Sequence, residues 1–551
     1  MRITNKIMQN NSLSNINTNK VAQDKLSTMM STQKKITKPS DDPVIAIRSL
    51  RLRSSVAQIT QYYEKNAPDA ESWLDVTEDA IINVVGVLED MIKQVTKGAS
   101  EQLKTSDREV IVDQLKELRD ELYSTGNADY AGRFIFTGYR TDTTLEFTKA
   151  ETRDFSITEQ LDLNAIDEFT HVNTVYSTGG QNYDIRDLND SNYFDAGYNA
   201  ITEQTAVPDD HVSTVHRIRL AYDKCEAGVL PEIEYMDPDS TPPYQTVKVP
   251  DATATPPTTI SEAKSYAINA AGLSPYDEIK QPGNEDKVIF LSDTGELLLG
   301  DNIYKALTKT KDDATTPNTN EGEIRITYSK KEWEKGDLRP EHYFACTETV
   351  GNGEPPIEYN QEYLKGIFER QSIEYDVGFN QVIQINTTAD ELYTHNIGRE
   401  VDDLVKTMQQ MIDLEKVTEK LKSTMDSLSE SDPQYAAKKD TLQAQLDAVD
   451  KAYTYVKEKV ETEFKTGITE MQGYLDQTNL ALTNCGTRGK KLELIESRLM
   501  SQQTTFETLK SNNEDADITE IAIKLNTAEL TYEASLMATG KITQTSLLNF
   551  I

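Results

Sequence analysis

Residues 52–91 read LRSSVAQITQYYEKNAPDAESWLDVTEDAIINVVGVLEDM. Taken alternately four and three apart, Leu52, Val56, Ile59, Tyr63, Asn66, Ala70, Trp73, Thr77, Ala80, Val84, Val87 and Met91 form one line in which only Asn66 and Thr77 are polar. A heptad seam sustained over this distance predicts a long helix packed along its length against other helices. Leu74, Ile81, Leu88 and Val95 run beside it at seven-residue intervals. That second line widens the apolar stripe beyond a two-stranded seam, so the helix needs more than one neighbour. The core positions on this reading are Leu52, Val56, Ile59, Tyr63, Trp73, Leu74, Ile81, Val84, Leu88 and Met91, joined by Leu492, Ile495 and Leu499 from the other end of the chain. Unbroken, such a helix extends roughly 80 Å at about 1.5 Å per residue. Pro68 lacks a backbone donor and predicts a kink near Asn66 to Asp69.

Outward from this stretch the pattern changes twice. Gly98 ends the helix, and Ser106 with Glu109 reads as a capping box for a second one striped with Ile111, Leu115, Leu118 and Leu122. Residues 132–139, GRFIFTGY, predict a strand between glycines. From about 140 to 390 the texture is Thr, Asp, Tyr and Pro, without helical period. Strands are expected at Val288 to Leu299, turning at Asp293-Thr294-Gly295, at Glu323 to Tyr328, and at Ser372 to Asn386, turning at Gly378 to Asn380. The Thr- and Pro-rich stretches Asp237 to Thr259 and Thr308 to Asn320 read as loops.

Helical period returns at Ile397, Val401, Leu404, Met408 and Met411, breaks at Asp432-Pro433, and resumes from Leu442 to Leu499, with Gly486 and Gly489 weakening the rod locally. Both chain ends are thus helical and the middle is β. The predicted fold class is mainly α with a β-rich insertion, an elongated antiparallel helical bundle or coiled coil built from both ends around a central β-rich domain. The expected parts are terminal helices at 1–42 and 517–551, a helical rod at 43–140 and 390–516, a central outer domain at 141–389, and an extra helical hairpin at 429–466.

Charge excludes several functions. The chain of 551 residues carries a formal net charge of -35, which argues against nucleic acid and against an anionic membrane surface as partners. Residues 1–60 hold ten Lys and Arg against three Asp, a net of +7, leaving -42 on the remainder. Cys225, Cys346 and Cys485 are too far apart to form a disulfide framework or CxxC site. No run approaches the roughly 18 apolar residues of a membrane span, and the polar opening MRITNKIMQN lacks the pattern of a secretory signal, so if the chain leaves the cell it is expected to do so by a route that reads no such signal.

Candidate chemistry is sparse. His171, His211, His216, His342 and His395 form no H-E-x-x-H, and His211 with His216 lacks a Cys or acidic partner at metal-ligand spacing. Asp187, Asp190 and Asp195 lack the glycine and terminal glutamate of a calcium loop. Neither a phosphate-binding loop nor a G-x-S-x-G elbow is present. The reading is a protein that is not an enzyme and has no cofactor or metal.

The ends offer surfaces instead. Ile3, Ile7, Ile16, Val21 and Leu26 are scattered among Asn, Ser and Thr, too few to hold an isolated helix, so this segment is expected to be disordered in the free monomer and to fold on assembly. Ile521, Leu525, Tyr532, Leu536, Leu547 and Leu548 leave a stripe that seeks a partner. Asp41, Asp42 and Pro43 read as a helix start, compatible with an added contact between copies. Arg48, Arg51 and Arg53 either bridge acidic surfaces of neighbouring copies or form a solvated face.

Specific residues also carry a resemblance. The opening MRITN, Lys38-Pro39-Ser40-Asp41-Asp42-Pro43 ahead of the heptad helix, Ala70 to Leu74 (AESWL), GRFIFTGY, Asn513 to Ile518 (NEDADI) and the C-terminal Leu525 to Ile551 together resemble the flagellin family. The Pro-Ser-Asp-Asp-Pro run makes the chain most similar to those members that join hook to filament. The resemblance implies a structural subunit exported through the flagellar type III apparatus to the extracellular flagellum. It further implies a closed ring of about eleven copies, contacting the hook-side junction protein (hook-associated protein 1) and flagellin and handled by an export chaperone. The flagellin filament subunit itself is one alternative, and an adhesin or carbohydrate-binding activity in the central domain is another.

Overall fold

The computed structural model describes residues 5–100, 102–207, 212–237, 245–269, 271–309, 324–351, 355–365 and 371–544. The chain forms two compact units, one from Met1–Ser72, Glu374–Gln384 and Arg488–Ile551, the other from Trp73–Ile373 and Ile385–Thr487. The helices are α1 (Asn5–Thr32), α2 (Pro43–Gln61), α3 (Ala67–Gly98), α4 (Thr105–Thr125), the short α5 (Glu203–Ala206), α6 (Pro275–Glu278) and α7 (Asp301–Leu307), then α8 (His395–Ser427), α9 (Tyr435–Glu514) and α10 (Ile518–Gln544). Strands β1 (Asp129–Tyr130), β2 (Arg133–Phe134), β3 (Glu151–Leu161), β4 (Ile166–Val172), β5 (Val175–Thr178), β6 (Gln181–Asp184), β7 (Val212–Arg219), β8 (Glu232–Asp237) and β9 (Gln245–Val249) precede β10 (Thr259–Ala263). They are followed by β11 (Lys287–Leu291), β12 (Glu296–Leu299), β13 (Ile324–Trp333), β14 (Ala345–Thr349), β15 (Ile357–Tyr359), β16 (Glu374–Gly378) and β17 (Gln381–Gln384). Helical ends and a β-rich middle are what the heptad pattern and its interruption required.

In the terminal unit α1 lies antiparallel to α10, and α2 lies antiparallel to the last turns of α9. Asn19 donates to Ser535 Oγ at 3.0 Å, and Gln503 reaches Glu64 Oε1 at 3.2 Å. The β16–β17 hairpin packs on the segment Tyr62–Asn66, where Asn66 Nδ2 donates to the Asp376 carbonyl at 2.7 Å and Tyr62 meets Phe379 edge-on at 5.8 Å.

That segment answers the question set by Pro68. Residues Tyr62–Asn66 form a π turn, with the Ala67 N–H bonded five residues back to the Tyr62 carbonyl. The helical backbone runs on through Pro68, because the wider turn clears the carbonyl that a proline ring strikes in a regular α-helix.

In the larger unit α3 pairs antiparallel with α9, and α4 with α8. Trp73, Leu74, Thr77, Ala80, Ile81, Val84, Leu88, Met91 and Val95 are all buried. At the end of α3 a Cβ on Gly98 would come within 2.2 Å of the Phe464 ring, so glycine both ends the helix and admits the close approach. Arg108 and Glu415 pair at 2.8 Å, Arg119 and Asp402 at 2.5 Å, and the Tyr123 hydroxyl donates to the Thr394 carbonyl at 3.0 Å. The α4 start differs from the expected box: the helix begins at Thr105 and Asp107 reaches back to the Lys104 N–H at 3.4 Å, while Glu109 pairs with Lys416 at 2.6 Å.

The β region is two sheets around one core. One has the order β10-β11-β12-β7-β4 and the other β15-β14-β3-β13-β8-β9, with only β10 and β11 parallel among their pairs. Phe155, Ile157, Val288, Phe290, Leu297, Ile324, Ile326 and Trp333 lie in the shared core, and Ile289, Leu291 and Leu298 turn to a second cluster with Val215 and Tyr276. Apolar residues on both faces explain why β11 and β12 read as continuous hydrophobic runs rather than alternating ones. The hairpins at 288–299 and 372–386 fall where the turn residues put them.

Three sequence expectations are corrected. GRFIFTGY is a strand only at Arg133–Phe134, because Ala131 and Gly132 turn with φ of 53° and 77° and Ile135 is pinned by its N–H to the Ala128 carbonyl at 3.1 Å. The strand expected at Glu323 to Tyr328 continues to Trp333, since Lys330, polar in sequence, is fully buried with its ammonium 2.8 Å from the Asp223 carbonyl. Asp237 to Thr259 is not all loop, as Gln245–Val249 pairs with β8. Gly486 and Gly489 fall inside α9, an 80-residue helix. Within 429–466 the chain turns at Ser429 to Gln434 and then enters α9, which returns along α8 so that the Tyr453 hydroxyl donates to Glu415 at 3.0 Å.

Candidate assembly interface

The terminal unit is organised where two helix breaks meet. Between α1 and α2, Gln33 takes a left-handed φ of 57°, and between α9 and α10 the chain opens at Asp515. The Lys35 N–H donates to the Glu514 carbonyl at 2.8 Å and the Ala516 N–H to the Gln33 carbonyl at 3.0 Å, a two-bond antiparallel bridge centred on Lys34 and Asp515. The Lys34 ammonium pairs with Asp515, and Lys35 donates to the Asn512 carbonyl.

Glu514 is the node. Its buried carboxylate accepts from Arg53 Nε at 2.6 Å and Nη2 at 2.7 Å and from the Ser49 hydroxyl, with Lys34 at 3.7 Å. The Arg53 hydrogen bonds, with Ser49 and the charges of Arg53 and Lys34, outweigh burial and hold this carboxyl down at about 2. A bidentate arginine fixes direction as well as distance, so this pair sets the register of α2 against α9.

The start of α2 is built from the Asp-Asp-Pro run. Asp42 accepts from the Val44 and Ile45 N–H groups at 2.9 and 3.1 Å, and Pro43 occupies the first turn. Asp41 faces the other way and closes the preceding turn, accepting from the Lys38 N–H at 2.9 Å and the Thr37 N–H at 3.1 Å; these bonds lower its pKa.

The outward faces are unexpectedly apolar. On α2, Ala46, Ser49 and Ile59 turn inward while Val44, Ile47 and Leu50 are exposed beside Arg48 and Arg51. On α10, Ile521 is buried and Leu525 and Tyr532 are half-buried, whereas Ile523, Leu530 and Met537, seven residues apart, are 63%, 67% and 71% exposed. Leu536 is exposed as well. On α1, Ile7 is exposed, whereas Ile16, Leu26 and Met29 are half-buried beside Gln9, Ser12, Asn19 and Gln23. A mixed seam with further apolar residues outside gives a helix pair that leaves apolar surface uncovered. Ile3, Leu547 and Leu548 lie outside the described residues.

Of the rod positions, Leu52, Val56 and Tyr63 are half-buried, and Ile59, Trp73, Leu74, Ile81, Val84, Leu88, Met91, Leu492, Ile495 and Leu499 are buried. Sequence reasoning missed Glu514, Ile523, Leu530 and Met537. The last three were legible as a heptad of their own, whereas Glu514 is one acid among many.

The histidines are scattered. His216 stacks on Tyr304 at 3.6 Å, His171 on Tyr276 at 4.6 Å, and His395 sits among Tyr222, Tyr343 and Phe344. Burial drives His342 down to about 4 and His395 to about 3, so both are neutral. His211 lies outside the described residues. Among the described residues no group of three or more His, Cys, Asp or Glu could hold a metal, and no helix is long and apolar enough to cross a membrane.

Residues 3–141, which contain α1 to α4 and the β1–β2 pair, match the bacterial flagellin N-terminal helical region. The chain is 30% identical over 143 residues to flagellar hook-associated protein 3 of Salmonella typhimurium, covering 26% of this chain and 45% of that one. It is 25% identical over 183 residues to the flagellin of Clostridium tyrobutyricum, covering 32% of this chain and 46% of that one. The chain therefore spans less than half the length of these curated relatives. Among solved structures, FlgL of Xanthomonas campestris aligns at 11% identity over 82% of this chain and 99% of that one, with a TM-score of 0.22, too low to compare the arrangements. The N-terminal quarter of this chain thus matches the bacterial flagellin N-terminal helical region, and part of its sequence resembles flagellar hook-associated protein 3.

Proposed function

We propose that this chain is a structural subunit of the bacterial flagellum that forms the junction between hook and filament and seats the filament. The observation that carries the reading is the flagellin-type segment at 3–141, supported by the likeness to hook-associated protein 3. The paired terminal helices fit it, because apolar side chains left outside α2 and α10 suit copies packed side by side. In this role the protein acts by geometry and is not an enzyme. Asp42 and Pro43 start α2, Glu514 locks it to α9, and Ile7, Arg48, Ile523, Leu530, Leu536 and Met537 meet neighbouring copies. Its partners are other copies in a closed ring of about eleven, the hook-side junction protein, flagellin and an export chaperone. Its place is the extracellular flagellum.

Deletion of the chain followed by electron microscopy tests this. Cells with hooks, no filaments and flagellin shed into the medium are expected; intact filaments refute it. The likeness to a flagellin keeps a filament subunit as the second reading. Copy number separates the two, since a filament subunit dominates sheared filaments and a junction subunit does not.

A further inference from the structure

A cavity of about 710 Å³ lies within the larger unit, between the five-stranded sheet and α8 and α9. That volume is within the range of about 300–1,000 Å³ typical of small-molecule sites. Its wall on α9 is one face of the helix, where Tyr455, Lys459, Glu463, Thr466, Glu470 and Tyr474 recur three or four residues apart. At about 1.5 Å per residue that stripe is roughly 30 Å long, so the space is elongated and suits an extended molecule better than a compact one.

The sign of the ligand follows from which groups are already satisfied. Among the described residues that line the channel, nine are Asp or Glu and three are Arg or Lys. Arg217 bonds Asp167 at 3.0 Å, Glu296 at 3.1 Å and Asp403 at 2.5 Å. Arg219 reaches Asp167 at 3.3 Å, Glu400 at 3.3 Å and Asp403 at 3.0 Å. Lys459 is held 3.5 Å from Glu463 and 4.2 Å from the Phe169 ring centre. The cations are thus neutralised within the wall, and an anion would meet only the surplus of carboxylates.

What the walls leave over is hydrogen-bond acceptors. Glu159, on β3, is only 2% exposed, yet among the described residues no cation pairs with it. Its Oε1 accepts from the Ala221 N–H at 2.8 Å and from the Tyr328 hydroxyl at 2.5 Å, while Oε2 has no partner. Glu463 Oε2, Thr394 Oγ1 and His395 Nε2 are buried in the same walls and also lack partners. Glu470, exposed at the mouth, pairs with no cation among the described residues. Buried acceptors left open in this way call for a donor. A metal ion is the poorer one, because carboxylates strung along a helix do not converge on a point, and among the described residues no group of three or more ligands could hold it. We propose that the channel binds a linear aliphatic polyamine, with its ammonium groups on Glu159 at the sheet and on Glu463 and Glu470 along α9, and its methylene stem against the rings of Tyr343, Phe344 and Tyr474.

Titration calorimetry of the intact chain with spermidine tests this, in about 150 mM NaCl so that diffuse counter-ion binding is screened. One equivalent should bind saturably. Glu159→Gln can keep the bonds from Ala221 and Tyr328 while losing the charge. It and Glu463→Gln should each weaken binding by about tenfold or more, the scale of one charge-assisted hydrogen bond. Glu89→Gln, exposed on α3, changes the net charge equally and should leave binding unchanged. Equimolar Mg²⁺ should not displace spermidine. Melting curves show whether each variant folds, and if Glu159→Gln does not, Glu463→Gln decides alone. Absence of saturable binding, a stoichiometry well above one, displacement by Mg²⁺, or a folded Glu159→Gln or Glu463→Gln that binds no more weakly than Glu89→Gln overturns the proposal.

Discussion

Arg53 and Glu514 stand 461 residues apart in sequence and face each other as a two-pronged ion pair, Nε to Oε1 at 2.6 Å and Nη2 to Oε2 at 2.7 Å. Glu514→Gln keeps the shape and removes the charge. It should destabilise the terminal unit by about 1–3 kcal/mol, as loss of a charge-assisted hydrogen bond does. Acid should do the same to the wild type. Because folding lowers this carboxyl from 4.5 to about 2, its contribution is complete above about pH 4.5 and disappears as pH falls toward 2. Urea unfolding followed at pH 7 and pH 3 checks both statements, and the variant should show the smaller pH dependence.

The exposed stripe on α10 should matter between molecules and little within one. Leu530→Ser should leave the unfolding midpoint within about 0.5 kcal/mol of wild type. It should weaken self-association by about 1–2 kcal/mol, the scale of one apolar side chain removed from an interface. Ile521→Ser, on the buried side, should do the reverse. Sedimentation of the two variants beside thermal melts separates these outcomes.

Gly98→Ala places a methyl group 2.2 Å from the Phe464 ring. Overpacking of this kind typically costs about 1–3 kcal/mol. Gly486→Ala and Gly489→Ala lie inside α9 with nothing within 4 Å of the new Cβ, and each should stabilise by about 0.5–1 kcal/mol. Melting curves of the three variants should therefore move in opposite directions.

Asp42→Ala removes the two N-cap bonds to Val44 and Ile45 and should cost about 1 kcal/mol. Asp42→Asn should recover most of it. Helix content by circular dichroism near the unfolding midpoint is the measurement.

Where a pattern repeated, it could be read: the line from Leu52 to Met91 placed α3 and its buried face, and Asp293-Thr294-Gly295 placed a hairpin. Where meaning depended on a distant partner, it could not. Lys330 looked like the end of a strand because Asp223, which pairs with it across the fold, lies 107 residues away in sequence. Pro68 was legible as an interruption of the regular ladder, whereas the π turn that carries the helix past it depends on backbone bonding that residue types do not announce. Glu514 had no mark among 92 acids, and only the fold brings Arg53, Ser49 and Lys34 around it. Inward and outward residues of α10 were mixed for a related reason: both faces are apolar, so composition gave no direction.

The two helix breaks at Lys34 and Asp515 sit at the same level. A continuous helical rod resists bending by its whole ladder of hydrogen bonds, and bending one helix beside an unbroken neighbour would tear bonds in that neighbour. Here neither strand of the rod has an unbroken ladder at that level, where the two strands are joined by the backbone bonds between Lys35 and Glu514 and between Ala516 and Gln33 and by the side chains of Lys34 and Lys35 on Asp515 and the Asn512 carbonyl. The α1–α10 pair can therefore be tilted as one stiff lever, with the deflection absorbed in a few backbone torsions around Gln33 and Ala516 and no helix broken.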